Sequence, residues 1–246
     1  MALQDNLISY WKLDEASGNV ADVVNGNTGT NTSVTFSNGK INAGAVFNGT
    51  TSKLDVGTPT NLTFNYTDVF SVSCWVKPSV ATVTGCIYSK EVNSGVYTGI
   101  LLYSSAGNVQ GYMVNSNAGN QTVGASTTIM TSGNWYHIVW VWGGVANGTG
   151  SKIYINGVSE TVTLSPATLS ASVLTTSPVV IGNRGTGTEA FNGIIDEVGV
   201  WKRELTASEV SQLYGDGAGA KYPLFESQKE VFMETKQMQS TMWKSG

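Results

Sequence analysis

Apolar and polar residues alternate in short runs along most of this chain. Ile8-Ser9-Tyr10-Trp11-Lys12-Leu13 alternates through six positions, and Phe70-Ser71-Val72-Ser73-Cys74-Trp75-Val76 sets Phe70, Val72, Cys74 and Val76 on one face. A period of two puts successive side chains on opposite sides of an extended strand. Tyr136-His137-Ile138-Val139-Trp140-Val141-Trp142 is apolar on both faces, the pattern of a central strand in stacked sheets. Turn residues separate these runs. Asn156-Gly157 follows Lys152–Ile155 and precedes Val158, which predicts a hairpin, since Asn-Gly tolerates the positive φ angles of a type I′ turn. Asn48-Gly49, Asn147-Gly148 and Asn192-Gly193 mark further turns.

One helix stands out. In Thr206-Ala207-Ser208-Glu209 the Thr hydroxyl and the Glu carboxylate can satisfy each other's orphan amides. Val210, Leu213 and Tyr214 form an apolar stripe and Gly215 ends it, so a short helix is expected at about 206–214. Gly215–Ala220 reads as a flexible linker. The 215–246 tail beyond the helix is rich in Lys, Glu, Gln and Met toward its end. There Phe232, Lys236, Gln239 and Trp243 would share one helix face, which suggests docking on the domain itself, a neighbouring subunit or a larger assembly.

Composition narrows the function classes. Charged residues make up 12% of 246 residues and there are 29 glycines, a mixture that suits short strands and tight turns. Net charge is −4, with no Lys/Arg cluster before the tail, so no nucleic-acid footprint is present. No apolar run approaches the roughly 20 residues of a membrane-spanning helix. The N-terminal residues show no basic and apolar signal-peptide pattern, so an extracellular or virion-surface location would need a trimmed signal or another exit route. Cys74 and Cys86 read as buried thiols in neighbouring strands in preference to a disulfide.

In order along the chain, several stretches resemble laminin G-like jelly-roll domains of the concanavalin A-like lectin/glucanase superfamily. They are Leu7–Glu15 with Ser17-Gly18, Asp22–Gly29, Gly44–Gly49, Phe70–Pro78, Trp135–Val139, Ile153–Gly157, Phe191–Trp201 and Leu205–Tyr214. The resemblance implies an all-β fold: two antiparallel sheets in a jelly-roll sandwich over residues 1–214. It leaves function open, because that fold hosts lectins, glycosidases, adhesins and virion proteins.

Three chemistries follow. A glycosidase needs two carboxylates flanking the scissile bond. Asp14-Glu15 and Asp196-Glu197 are adjacent pairs that point to opposite faces if extended, and His137 stands alone in an apolar strand, so no catalytic set is expected. For a structural Ca2+ the Asp22 turn offers Asp22, Asn25 and Asn27, and the resemblance adds Asp196; the competing reading makes Asp22 and Asn25 turn caps. For a glycan partner, the aromatic candidates are Tyr97, Tyr103, Tyr112, Trp140 and Trp142, and the polar ones are Asn115 and Arg184. Related domains often carry a small residue where Trp140 stands, which is suggestive, but a core Trp is the favoured explanation at any single position. The leading expectation is a non-catalytic, carbohydrate-binding module displayed on a virion or cell surface. The alternative is a structural capsid or tail decoration protein, in either case with a homo-oligomer allowed.

Overall fold

The computed structural model describes residues 2–93, 97–116, 120–165, 168–185 and 187–224. Sixteen strands are defined among the described residues. The first eight are β1 Leu7–Trp11, β2 Thr30–Thr32, β3 Thr35–Asn38, β4 Ala43–Asn48, β5 Lys53–Gly57, β6 Val69–Pro78, β7 Gly85–Asn93 and β8 Tyr97–Ser105. The rest are β9 Asn108–Ser116, β10 Asn120–Ile129, β11 Tyr136–Gly143, β12 Lys152–Ile155, β13 Val158–Ser159, β14 Thr163–Leu164, β15 Val179–Ile181 and β16 Asn192–Trp201.

They form two eight-stranded sheets. The first runs β13-β12-β11-β6-β16-β4-β3 with β1 added on β16, and the second runs β14-β10-β9-β8-β7-β15-β5-β2. The strand pairings within both are antiparallel. The jelly-roll sandwich that the family resemblance implied is the fold observed. The main core lies between the sheets, where Phe70, Val72, Cys74 and Val76 of β6 meet Ile100, Leu102 and Met113 of the second sheet. The predicted hairpin forms with Asn156 at φ 53° and Gly157 at φ 80°, the conformation Asn-Gly was expected to supply.

The first sheet is covered on its outer side as well. Helix α1, Ala207–Tyr214, is capped by Thr206 and Glu209 and ended by Gly215 in the left-handed conformation. Its Val210 and Leu213 pack with Val139, Val141, Tyr154 and Trp201. The stretch expected to be a flexible linker is packed. The amides of Gly219 and Ala220 donate back to Tyr214 and Leu213, and Leu224 is buried in the same cluster. Apolar area at Leu224 outweighs the glycine content, so ordered structure continues past 214. The proposed tail-helix residues Phe232, Lys236, Gln239 and Trp243 lie outside the described residues. Both cysteines are free and buried. They sit in different sheets, Cys74 against the core and Cys86 on the far side of the second sheet.

Candidate functional site

The outer side of the second sheet differs from that of the first. Alternation along β8 sends Ile100 and Leu102 into the core, and Leu101 and Tyr103 outward. On β9 it sends Met113 inward and Tyr112 and Val114 outward. Leu101 pairs with Tyr112 and Leu102 with Gly111, so Tyr103 and Tyr112 become diagonal neighbours. Their rings meet edge to face with centroids 6.1 Å apart. The Tyr112 hydroxyl donates to Gln110 Oε1 at 2.6 Å.

A loop from the far side of the sheet completes the site. Between β15 and β16 the chain turns back through Gly182-Asn183-Arg184, pinned by the Gly187 amide on the Arg184 carbonyl at 2.9 Å. Arg184 reaches β7, where Nε and Nη2 donate to the two oxygens of Glu91 at 2.9 and 3.0 Å. Nη1 donates to Glu189 at 2.6 Å. The guanidinium also lies 4.6 Å from the centre of the Tyr97 ring. Together Leu101, Tyr103, Tyr112, Arg184 and Glu189 line a cleft of about 130 Å³.

Burial raises the Glu91 carboxyl and the Arg184 contacts oppose it. Burial also raises the phenols of Tyr103 and Tyr112, which stay neutral. Four expected residues, Tyr97, Tyr103, Tyr112 and Arg184, therefore converge, although three strands or loops and nearly ninety residues separate them. Glu91 and Glu189 were missed. The signal for Glu91 was a charged residue inside the β7 pattern, where an unpaired charge would be costly and a cation had to be nearby.

The other candidates do different work. Trp140 and Trp142 are fully buried between the sheets and give no face to a ligand, which corrects their assignment to a glycan site. The Trp140 indole donates to Ser151 Oγ at 3.1 Å and that of Trp142 to the Tyr66 carbonyl at 2.8 Å, so their polar ends are satisfied without solvent. Trp140 fits because Gly111 faces it; a Cβ at Gly111 would stand 2.4 Å from the indole. Asn115 is also displaced from the cleft, since its side chain donates to the Ser172 carbonyl in the loop that covers one end of the sandwich.

The residues expected to hold calcium are hydrogen-bond hubs. Asp22 Oδ1 accepts the amides of Tyr10 and Val24, both at 2.9 Å, and Oδ2 accepts that of Asn27 at 3.2 Å. Asn25 donates to the Ile8 carbonyl and Asn27 to Ser9 Oγ, both at 2.8 Å. Asp196 accepts amides of Lys40 and Ile41 at 2.7 and 2.9 Å and that of Glu197 at 2.9 Å. Among the described residues no three acidic, His or Cys side chains come together as a metal cluster. Asp22, Asn25, Asn27 and Asp196 thus all carry hydrogen bonds within the protein, and those of Asp22 are the bonds of a turn cap.

Beside Asp196 the strand bulges. The β16–β6 register shifts between Asp196 and Gly199, and Glu197 takes φ 51°. Both Glu197 carboxylate oxygens are buried without a hydrogen-bond partner, with the Tyr10 phenol close by. Burial pushes Glu197 up to about 7 and Asp196 up to about 8, the latter opposed by the amides it accepts. Both carboxyls therefore hold protons more tightly than free carboxylic acids do, Asp196 despite the amides it accepts. His137 is buried, with Nε2 2.9 Å from Ser73 Oγ, and burial lowers it to about 3, so it stays neutral as a structural residue.

Residues 47–211 match the family model Laminin_G_3 of the concanavalin A-like lectin/glucanases superfamily, well over half of the chain. The sandwich and this match define the class, and the chain belongs to that family. No curated protein sequence matches it. Among solved structures it is similar to the binding domain of Paraclostridial Mosquitocidal Protein 1, at 18% identity and TM-score 0.67, over 86% of this chain and 52% of that one. Domain 4 of AbnA, a GH43 extracellular arabinanase from Geobacillus stearothermophilus in complex with arabinotriose, aligns at 22% identity and TM-score 0.61. That alignment covers 84% of this chain and 97% of that one. A Trypanosoma rangeli sialidase mutant displaying trans-sialidase activity aligns at 15% identity and TM-score 0.63, over 88% of this chain and 34% of that one. The chain thus spans about half of the toxin chain and a third of the sialidase chain. At these identities the likeness is one of fold.

Proposed function

We propose that this chain is a non-catalytic glycan-binding module and that its ligand occupies the cleft beside Tyr103 and Tyr112. The observation that carries the reading is the half-exposed tyrosine pair on the outer face of the second sheet, walled by Leu101 and by the braced Arg184 and Glu189. A sugar ring offers apolar C–H faces to aromatic rings and hydroxyls to polar groups, and this cleft presents both kinds of surface. The arabinotriose complex of the arabinanase domain supports the reading by analogy of fold.

Hydrolysis is disfavoured by the same geometry. The two carboxylates nearest the cleft are both tied to Arg184, and the Glu91 side chain is 1% exposed. Neither is a free acid or base poised for a leaving group. Screening a glycan array and replacing both Tyr103 and Tyr112 by Ala tests the proposal. The expected result is at least tenfold weaker binding, about 1.4 kcal/mol, by a variant that still melts cooperatively. Undiminished binding by that variant would place the site elsewhere.

Display on a virion or cell surface, with the C-terminal tail as the attachment, belongs to the same proposal. The truncation that tests it ends after Leu224, because residues up to that point are packed on the domain. Such a truncated chain is expected to keep its sugar affinity and lose its assembly partner.

A further inference from the structure

We infer that the cleft takes neutral sugar units and rejects acidic ones, an inference that rests on the glycan-binding reading above. An arginine in a sugar site would ordinarily recruit a carboxylate, since its fork matches two oxygens. Here that fork is already engaged. Nε and Nη2, the edge that grips a carboxylate in parallel, hold both oxygens of Glu91, and Nη1 holds Glu189. The flat face of the guanidinium is against Tyr97. Arg184 therefore braces the cleft, with its Nε/Nη2 edge closed to a ligand anion and Nη1 already drawn to a second carboxylate.

The charge balance points the same way. One guanidinium between two carboxylates leaves the cluster with a single negative charge. The charged groups acting on Tyr112 are these three, Arg184, Glu189 and Glu91. Glu189 is the member a ligand meets, with a side chain 38% exposed against 1% for Glu91. A carboxylate only accepts hydrogen bonds, so it suits the hydroxyl donors of a neutral sugar and repels the carboxylate of a uronic or sialic acid. The low-dielectric wall of Leu101 and two tyrosines strengthens that repulsion. The small volume of the cleft suits one sugar unit at a time.

The test is calorimetric titration of the full chain with matched neutral and acidic oligosaccharides of equal length and linkage. Glucose against glucuronate oligomers and galactose against galacturonate oligomers serve. In every pair that binds, the neutral member is expected to bind at least tenfold more tightly. Glu189→Gln keeps the shape and an acceptor for Arg184, and is expected to narrow the gap at least threefold with an unchanged melting temperature. Acidic members that bind as well as neutral ones, or better, overturn the inference and leave the glycan reading standing. If no member of any pair binds, the glycan reading falls and takes this inference with it.

Discussion

Two clusters of buried carboxylates, one in each sheet, solve the same electrostatic problem in opposite ways. In the second sheet Glu91 is neutralised by a cation, Arg184, brought from a loop 93 residues away. In the first sheet Asp196 and Glu197 share a bulge with no ion pair to hold them; Asp196 takes three backbone amides, while Glu197 has only the Tyr10 phenol and the more distant charge of Lys12 in its favour. The first solution fixes charge in place at every ordinary pH and so can define a binding surface. The second keeps a proton and makes stability depend on pH. Counter-charge makes a site here, and desolvation alone makes a titrating strut.

Removing the cation should have the largest effect. Arg184→Met leaves Glu91 buried and unpaired, with an expected loss of about 3–5 kcal/mol. That corresponds to a fall of roughly 10 °C in melting temperature for a domain of this size. Scanning calorimetry reads it, and a fall of only a degree or two would mean that the ion pair is not what allows Glu91 inside.

The second effect is pH-dependent and belongs to the other cluster. Asp196 and Glu197 are raised by burial, so the folded state holds protons more tightly than the unfolded chain. Between the ordinary carboxylate range and about pH 8 the unfolded chain ionises first, and stability falls as pH rises. A loss of roughly 2–4 kcal/mol from pH 4.5 to 8.5 is expected, and Glu197→Gln should flatten part of it by removing one titrating group and its repulsion on Asp196. Melting curves across that range decide the matter; a wild-type stability that rises with pH would reverse the account of the pair.

Much of this was legible in the sequence. The period-two runs pointed to strands because side chains alternate between the two faces of an extended chain, and the capping box pointed to the helix because it satisfies its own amides. The outward tyrosines were legible as aromatic candidates, but their convergence was not, since register between β8 and β9 is a tertiary fact. Trp140 misled because a strand that is apolar on both faces does not say which of its aromatics a second sheet will cover. The deciding residue is Gly111, 29 positions away on the opposite sheet, whose missing side chain makes room for the indole. The Gly-rich stretch after Tyr214 misled for a similar reason, since composition reports backbone freedom and Leu224 supplies the burial that removes it.

The smallest effects are expected where charge is exposed or already satisfied. Lys152→Ala breaks a surface ion pair with Glu204 and should cost no more than about 0.5 kcal/mol. A chelator should leave the melting temperature unchanged, since Asp22 and Asp196 are held by backbone amides; a clear drop would show that an ion shares that work.

The central claim is that the tyrosine cleft on the second sheet is where a glycan sits. Nuclear magnetic resonance of the labelled protein, titrated with the tightest neutral oligosaccharide, tests it most directly. The account predicts saturable amide shifts centred on Leu101, Tyr103, Tyr112 and Glu189. Shifts confined to the opposite sheet, around the Trp75, His137 and Tyr214 ring stack, with the second sheet unmoved, would contradict it.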